Sequence, residues 1–382
     1  MLSMRDCGFR VTAAGSGDST PFGSAGLDFR PFDFNRYISP LADWTAVKSL
    51  STMLRDLQPD LVQSFDTKPN LMLPVAARAA GHPGIVRTIT GLGWVYSSRS
   101  PLALFVRPVL CVLHRAAARS TAATVFEIHD DQVFFERHRM TGKHGLVIPA
   151  GGGGVDVEGF RRALAESPPA GQLREELGLG TSQVIITVAR MTRGKGIPTL
   201  LKAAALVHLA RPDVRFLLVG PRESEGPLAV TQAEIDKHAP YVIATGPRSD
   251  VPALLGLADV FAFPTAHGEG VPRVLLEAAL AGIPIVSTSM PGCCEVIRDG
   301  WNGLLVLPHA PDALAGKIVE LLRDRKTAGI MAARAEELVA QKFSLQMIVS
   351  RYVAFYGELL AGNSQLDTAE GLSEQRAPEL VR

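Results

Sequence analysis

Short β-rich runs alternate with helical stretches along this chain, divided by Gly and Pro, and that alternation is the pattern of parallel sheets wound from βαβ units. In the first half, residues 60–65 (DLVQSF), 84–90 (GIVRTIT), 121–126 (TAATVF) and 145–149 (GLVIP) are predicted strands, with helices over about 41–57 and 69–80. In the second half, 183–189, 214–220, 241–245, 259–265, 283–288 and 303–308 are six more, each near-continuously apolar, as strands covered on both faces must be. Between the halves, residues 151–172 run from GGGG through ESPPAGQ with few apolar side chains to hold a core. The expected fold class is α/β, two Rossmann-like doubly wound domains facing a cleft, the first over 1–150 and the second over 151–343. A chain of 382 residues suffices for two such cores. An amphipathic helix over 344–361 is expected to return toward the first domain, and the polar stretch 362–382 to be disordered. Before the first plausible strand, 9–14 (FRVTAA), stands only MLSMRDCG, which reads as a helix end stopping at Gly8. A doubly wound sheet starts with its middle strand, so the first domain is expected to lack that strand.

Lys and Arg number 39 against 38 Asp and Glu, a formal charge of +1, so nothing at whole-chain level advertises nucleic acid or another polyanion. Any anion must be met locally. Cys7, Cys111, Cys293 and Cys294 form no C-x-x-C and have no matching His spacing, which indicates neither a disulfide framework nor a zinc site and fits a reducing cytoplasm. The N-terminal MLSMRDCGFRVTAAG lacks the basic-then-apolar order of a secretory signal. The longest apolar run, Leu102 to Leu113, is broken by Arg107 and Pro108, and at about 12 residues it falls short of the roughly 20 that span a bilayer. No integral membrane segment is expected.

The most informative stretch is HGEGVPRVLLEAALAGIPIVST, 267–288, where an apolar helix leads into a strand. Pro272 suits the first helical position, so Glu269, Gly270 and Val271 lie on the preceding turn and Glu277 about a turn and a half inside the helix. Exposed N–H groups, a positive helix end and two carboxylates would then gather at the carboxyl edge of the sheet. A nucleotide sugar offers the matching groups, a pyrophosphate for the amides and hydroxyls for the carboxylates. A second stretch, VARMTRGKGIPTLLKA, places Arg190 and Lys195 on the loop leaving the first strand of the second domain, with Gly194 and Gly196 allowing close backbone approach. Two fixed cations there can neutralise a departing diphosphate. By spacing alone each motif is ordinary, since solvated helix carboxylates and surface bases are common.

The words around them change that. The 267–288 stretch resembles the Glu, seven residues, Glu motif of the retaining family-4 glycosyltransferases, which have the two-domain GT-B fold. The resemblance implies that Glu269 contacts the donor sugar, Glu277 the nucleotide ribose, and Arg190 and Lys195 the diphosphate. It extends over almost the whole chain, from about residue 9 to about 360. IPAGGGGVDVEGF (148–160) is similar to the interdomain segment, TGPRSDVPALLGLADVFAFPT (245–265) to the region where main-chain groups near Pro247 and Arg248 read the base, and PGCCEVIRDGWNGLLV (291–306) to a phosphate-side turn with Gly292 and Glu295. TKPN (67–70) and TITGLGWVY (88–96) are most like the subgroup that adds sugars to polyprenyl-diphosphate-linked saccharides, which puts Lys68, Thr90, Gly91 and Gly93 on the acceptor side. Many family members carry a His on the first-domain loop where this chain has Thr90, so no acid or base role is assigned there.

The segment Arg99 to Arg119 has two readings: a helix packed on the first sheet, which is the ordinary one, or a helix lying in the headgroup region with its bases on anionic lipid. His129, Asp130 and Asp131 read as a solvated loop rather than a metal site, and His114, His138, His144, His208 and His238 as structural. GGGG at 151–154 reads as a hinge, since it lacks the ending of a phosphate loop. The sequence as a whole reads as a cytoplasmic, membrane-peripheral, retaining glycosyltransferase at the inner face of the plasma membrane. It would move a sugar from a UDP-linked donor to a lipid-linked saccharide in cell-surface glycan assembly, without metal or other cofactor. A sugar-nucleotide epimerase of related fold and a non-catalytic nucleotide-sugar binder remain as alternatives.

Overall fold

The computed structural model describes residues 1–32, 39–81, 84–98, 100–151, 153–222, 226 and 228–361. The chain divides into two compact units, Met1–Gly152 with the described part of Ile348–Arg382, and Gly153–Met347. The stretch 362–382, read from sequence as a disordered tail, lies outside the described residues.

Among the described residues the first unit holds six short strands, β1 (Thr12–Gly15), β2 (Asp28–Pro31), β3 (Val62–Phe65), β4 (Ile85–Ile89), β5 (Ala123–Phe126) and β6 (His144–Val147). Strands β3 to β6 form one parallel sheet in sequential order, while β1 pairs in parallel with β2. The strands of this unit form two separate pieces, with no ladder between β1 and β3 among the described residues. Strands β4 and β5 are buried throughout, and alternate residues feed opposite faces. Ile85 joins Leu50, Leu54 and Leu73 of the helices Pro40–Leu57 and Thr67–Ala80, whereas Val86 joins Val125, Ile148 and Ile348, Tyr352 and Phe355 of the helix Leu345–Leu360. The Tyr352 hydroxyl donates to the Gly151 carbonyl at 2.8 Å.

One sequence expectation is corrected in this unit. FEIHDDQ is not a loop: His129 to Arg137 is helical, with Asp130 and Asp131 in its first turn, where carboxylates suit the helix dipole. The apolar segment near 102–113 lies within an 18-residue helix, Pro101–Ala118, long and apolar enough by length and composition alone to cross a membrane. Only Ala103, His114 and Ala117 of it are buried, so its packed face is narrow.

The second unit contains β7 (Gln183–Val188), β8 (Val214–Val219), β9 (Val242–Gly246), β10 (Val260–Phe263), β11 (Ile285–Thr288) and β12 (Leu304–Val306). All pair in parallel, in the order β12-β11-β10-β7-β8-β9. The sheet therefore grows outward from β7 to one side, then from β10 to the other, and the direction reverses between those two neighbours. Ile185, Phe216 and Leu218 pack with Leu200 and Ala204 of the helix Ile197–Ala210, and with Leu314 and Ile318 of the helix Pro311–Arg323. Hydroxyls inside the sheet bond to strand-end carbonyls: Thr187 to Ala262 at 2.7 Å and Ser287 to Phe263 at 2.9 Å. Val155 opens this unit by exchanging backbone hydrogen bonds with Phe343 and Leu345, and Asp156 caps the helix Val157–Ala165 through the Gly159 N–H at 3.0 Å.

Candidate active site

Strands of a parallel sheet all end on one edge, so the loops leaving neighbours β7 and β10 meet where the strand order reverses. The first carries Arg190, Gly194, Lys195 and Gly196 into the helix Ile197–Ala210; the second carries Thr265, His267, Glu269, Gly270, Val271 and Pro272 into the helix Arg273–Leu280. The Ala266 N–H donates to the Gly194 carbonyl at 2.9 Å and ties the loops together. Gly196 has φ +73°, and a side chain there would run into the Pro264 carbonyl, so this position requires glycine. Gly194 has ordinary room, with the nearest atom of His267 3.6 Å from where a Cβ would sit. The close approach read for both glycines is therefore a property of Gly196.

Lys195 Nζ lies 2.6 Å from Glu269 Oε2, with the two side chains only 12% and 24% exposed. The same ammonium sits over the Phe263 ring, 5.4 Å from its centroid, where the ring's negative face favours a cation. The Thr265 hydroxyl donates to Glu269 Oε1 at 3.2 Å, so both carboxylate oxygens are held. Burial pushes His267 below its ordinary value, Lys195 and Arg190 push the same way, and Glu269 opposes them. Arg190, Lys195 and Glu269 thus all act on one imidazole, which is neutral at neutral pH.

Glu277 stands apart from this group. It lies in the second turn of its helix, where Arg273 Nε donates to Oε1 at 3.0 Å, and burial raises its pKa while Arg273 lowers it. Pro272 is the N-cap of that helix rather than its first residue, so the helix begins one position later than the sequence suggested. Gly292 lies against the backbone of Gly270 and Glu269, so closely that a Cβ would strike the Gly270 carbonyl. Arg248 is held by Asp250 and Glu176, each at 2.6 Å, which raises its pKa and commits its guanidinium. Pro247 beside it is exposed.

The acceptor-side residues belong to the first unit. Lys68 Nζ pairs with Asp43 at 2.5 Å. Thr90, just past β4, donates to Asp66, just past β3, at 3.5 Å. Asp66 has φ +66° and ψ 162°, a conformation almost reserved for glycine that costs a residue with a Cβ about 1 kcal/mol or more. Gly91 and Gly93, at φ +133° and +66°, follow on the same edge. Thr265, His267, Phe263 and Asp66 were not singled out from sequence; HGEG contains His267, but no pattern names its partners. Among the described residues no group of three His, Cys, Asp or Glu side chains could hold a metal ion.

This fold, with two Rossmann-like units, is that of the GT-B glycosyltransferases. It matches the crystal structure of Anabaena Alr3699/HepE in complex with UDP at a TM-score of 0.77, with 21% identity over 94% of this chain and 93% of that one. Residues 182–324 match the profile of the family described as glycosyl transferases group 1. That match lies within the second unit; the chain is a glycosyltransferase. It is 26% identical, over 88% of its own length and 87% of the other's, to the N,N'-diacetylbacillosaminyl-diphospho-undecaprenol alpha-1,3-N-acetylgalactosaminyltransferase of Campylobacter jejuni. It is 24% identical, over 85% and 82% respectively, to the UDP-Gal:alpha-D-GlcNAc-diphosphoundecaprenol alpha-1,3-galactosyltransferase of Escherichia coli.

Proposed function

We propose that this enzyme transfers a sugar, with retention of its anomeric configuration, from a UDP-sugar to a saccharide carried on a polyprenyl diphosphate. The observation that carries the reading is the Lys195–Glu269 pair on the two loops that meet where the strand order reverses. The acceptor and the UDP donor are suggested by relatives whose names specify a diphospho-undecaprenol acceptor or UDP-Gal, and by a structural neighbour that binds UDP.

In this reading Arg190 and Lys195 take the two phosphates, helped by the N–H groups that open the helix Arg273–Leu280. Charge builds on the diphosphate as the glycosidic bond lengthens, and a cation already fixed there stabilises that state more than the bound donor. Glu269, released from Lys195 as the phosphates approach, accepts hydroxyls of the donor sugar, while Glu277 accepts the ribose. The base meets main-chain groups at Pro247 and Arg248, whose guanidinium is otherwise engaged. Gly270, Val271 and Gly194 line the donor's path, and Lys68, Thr90, Gly91 and Gly93 serve the acceptor. The acceptor hydroxyl attacks the oxocarbenium-like carbon from the face the diphosphate leaves, and the departing phosphate takes its proton.

The test is to incubate purified full chain with a panel of UDP-sugars, with and without a polyprenyl-diphosphate-linked saccharide, and to read the product's anomeric coupling by NMR. Acceptor-dependent release of UDP with an α-linked product is expected. Donor altered without acceptor would make the protein an epimerase, donor bound but never consumed would make it a binder, and an inverted product would remove the retaining mechanism.

A further inference from the structure

The donor chemistry of the two paired loops uses their cations and carboxylates and leaves out the imidazole that lies among them, His267. Its place is fixed by hydrogen bonds on both sides. The Ala266 N–H donates to the Gly194 carbonyl at 2.9 Å, the His267 N–H donates to the Thr265 hydroxyl at 3.4 Å, and that hydroxyl donates to Glu269 Oε1 at 3.2 Å. The His267 side chain lies beside Gly194 of the facing loop, which has no side chain to cover it. The residue is half-buried. Lys195 and Arg190 from one loop and Glu269 from its own are the charged groups that act on it among the described residues.

A diphosphate reverses the charge around this ring. In the free protein two cations outweigh one carboxylate and burial adds to them, so the imidazole is neutral. A nucleotide sugar brings a charge on each phosphate, and UDP set free carries about one more near neutral pH. The local sum turns negative, most strongly once the glycosidic bond has broken. We propose that His267 is a phosphate-binding residue that takes a proton from solvent as the donor binds and its bond breaks, giving the departing diphosphate a third cation. This proton is separate from that of transfer: the acceptor hydroxyl's proton goes to the departing phosphate, whereas the one on His267 comes from water and returns to it when UDP leaves. The imidazolium is favoured most by the most charged state, so it stabilises the breaking bond more than the bound donor. A third permanent cation would hold UDP as firmly after reaction; an imidazole gives up its charge with the product. The inference rests on the proposed donor site.

The experiment is calorimetric titration of the full chain with UDP near neutral pH in buffers of different ionisation enthalpy, which counts the protons taken up, repeated with His267→Gln, His267→Asn and Lys195→Ala. UDP's own phosphate proton contributes alike to parent and histidine variants, so the difference between them is the reading. The parent should take up as much as about one proton more per UDP than either histidine variant. Both variants should bind UDP about tenfold more weakly near neutral pH and match the parent on the alkaline side, where the imidazolium is lost. Histidine-ring NMR of the parent supplies a reading that needs no variant: with UDP, one imidazole should titrate at higher pH than without it. Equal proton uptake in parent and variants, or no histidine titration moved by UDP, overturns the proposal, and the donor site still stands if Lys195→Ala weakens UDP binding. A parent that binds no UDP overturns both.

Discussion

Lys195 and Glu269 lie 2.6 Å apart with most of each side chain withdrawn from water, so a substitution at one leaves the other's charge uncompensated. Lys195→Ala and Glu269→Ala should each lower kcat by about 100-fold or more, and the double variant should lose less than the product of the two, because the residues work as one unit. Steady-state kinetics on all three variants checks this. Glu277 behaves differently, being held by Arg273 and raised in pKa by its burial. Glu277→Ala should raise the donor KM about tenfold with little change in kcat. Its raised pKa means that it takes up a proton at a higher pH than an ordinary Glu as the solution is acidified, so donor KM should climb on the acid side, and Glu277→Gln should flatten that limb. The same sign applies to stability: keeping Glu277 ionised above its unfolded pKa costs folding free energy, and Glu277→Gln should melt no lower than the parent at neutral pH and lose that advantage in acid. Glu269, Glu277, Arg190 and Lys195 were singled out from the sequence by the words around them. The bond between Lys195 and Glu269 was not, since it joins residues 74 apart and no spacing encodes it. His267 and Thr265 escaped for the same reason.

Among the elements, the turn after β7 is the most demanding piece of backbone near the site. Gly196 combines a left-handed φ with contact against the Pro264 carbonyl, so Gly196→Ala should destabilise the fold by more than about 1 kcal/mol and reduce activity with it, as read from urea unfolding. Gly194→Ala, with room beside His267, should cost clearly less in the same measurement. The strands of the second unit were readable because burial on both faces makes each a continuous apolar run, as in VIITV and VFAF. Strand β2 and the helix Thr20–Ser24 were missed: each is four or five residues long, with nothing buried in the helix and one half-buried Phe at the strand's centre. The helix His129–Arg137 was taken for a loop because its polar first turn hides the buried Phe135 that anchors it.

At the scale of the whole molecule, the two units differ in how completely their parallel strands are joined. The second has one six-stranded sheet, whereas the first has a four-stranded sheet and a separate pair. Amides of β1 and β2 should therefore exchange with deuterium much faster than those of the fully buried β4 and β5, and hydrogen-exchange mass spectrometry of the full chain checks it. How β1 pairs had no signal in the sequence, since a free strand edge can take any neighbour. The proposed donor residues could be placed from sequence because they lie within two contiguous loops of one sheet. The central claim is that those loops hold a diphosphate, and a crystal structure of the full chain with UDP tests it most directly. The account predicts the diphosphate in contact with Arg190 and Lys195 and the ribose against Glu277; UDP bound elsewhere, or contacting none of these side chains, would contradict it.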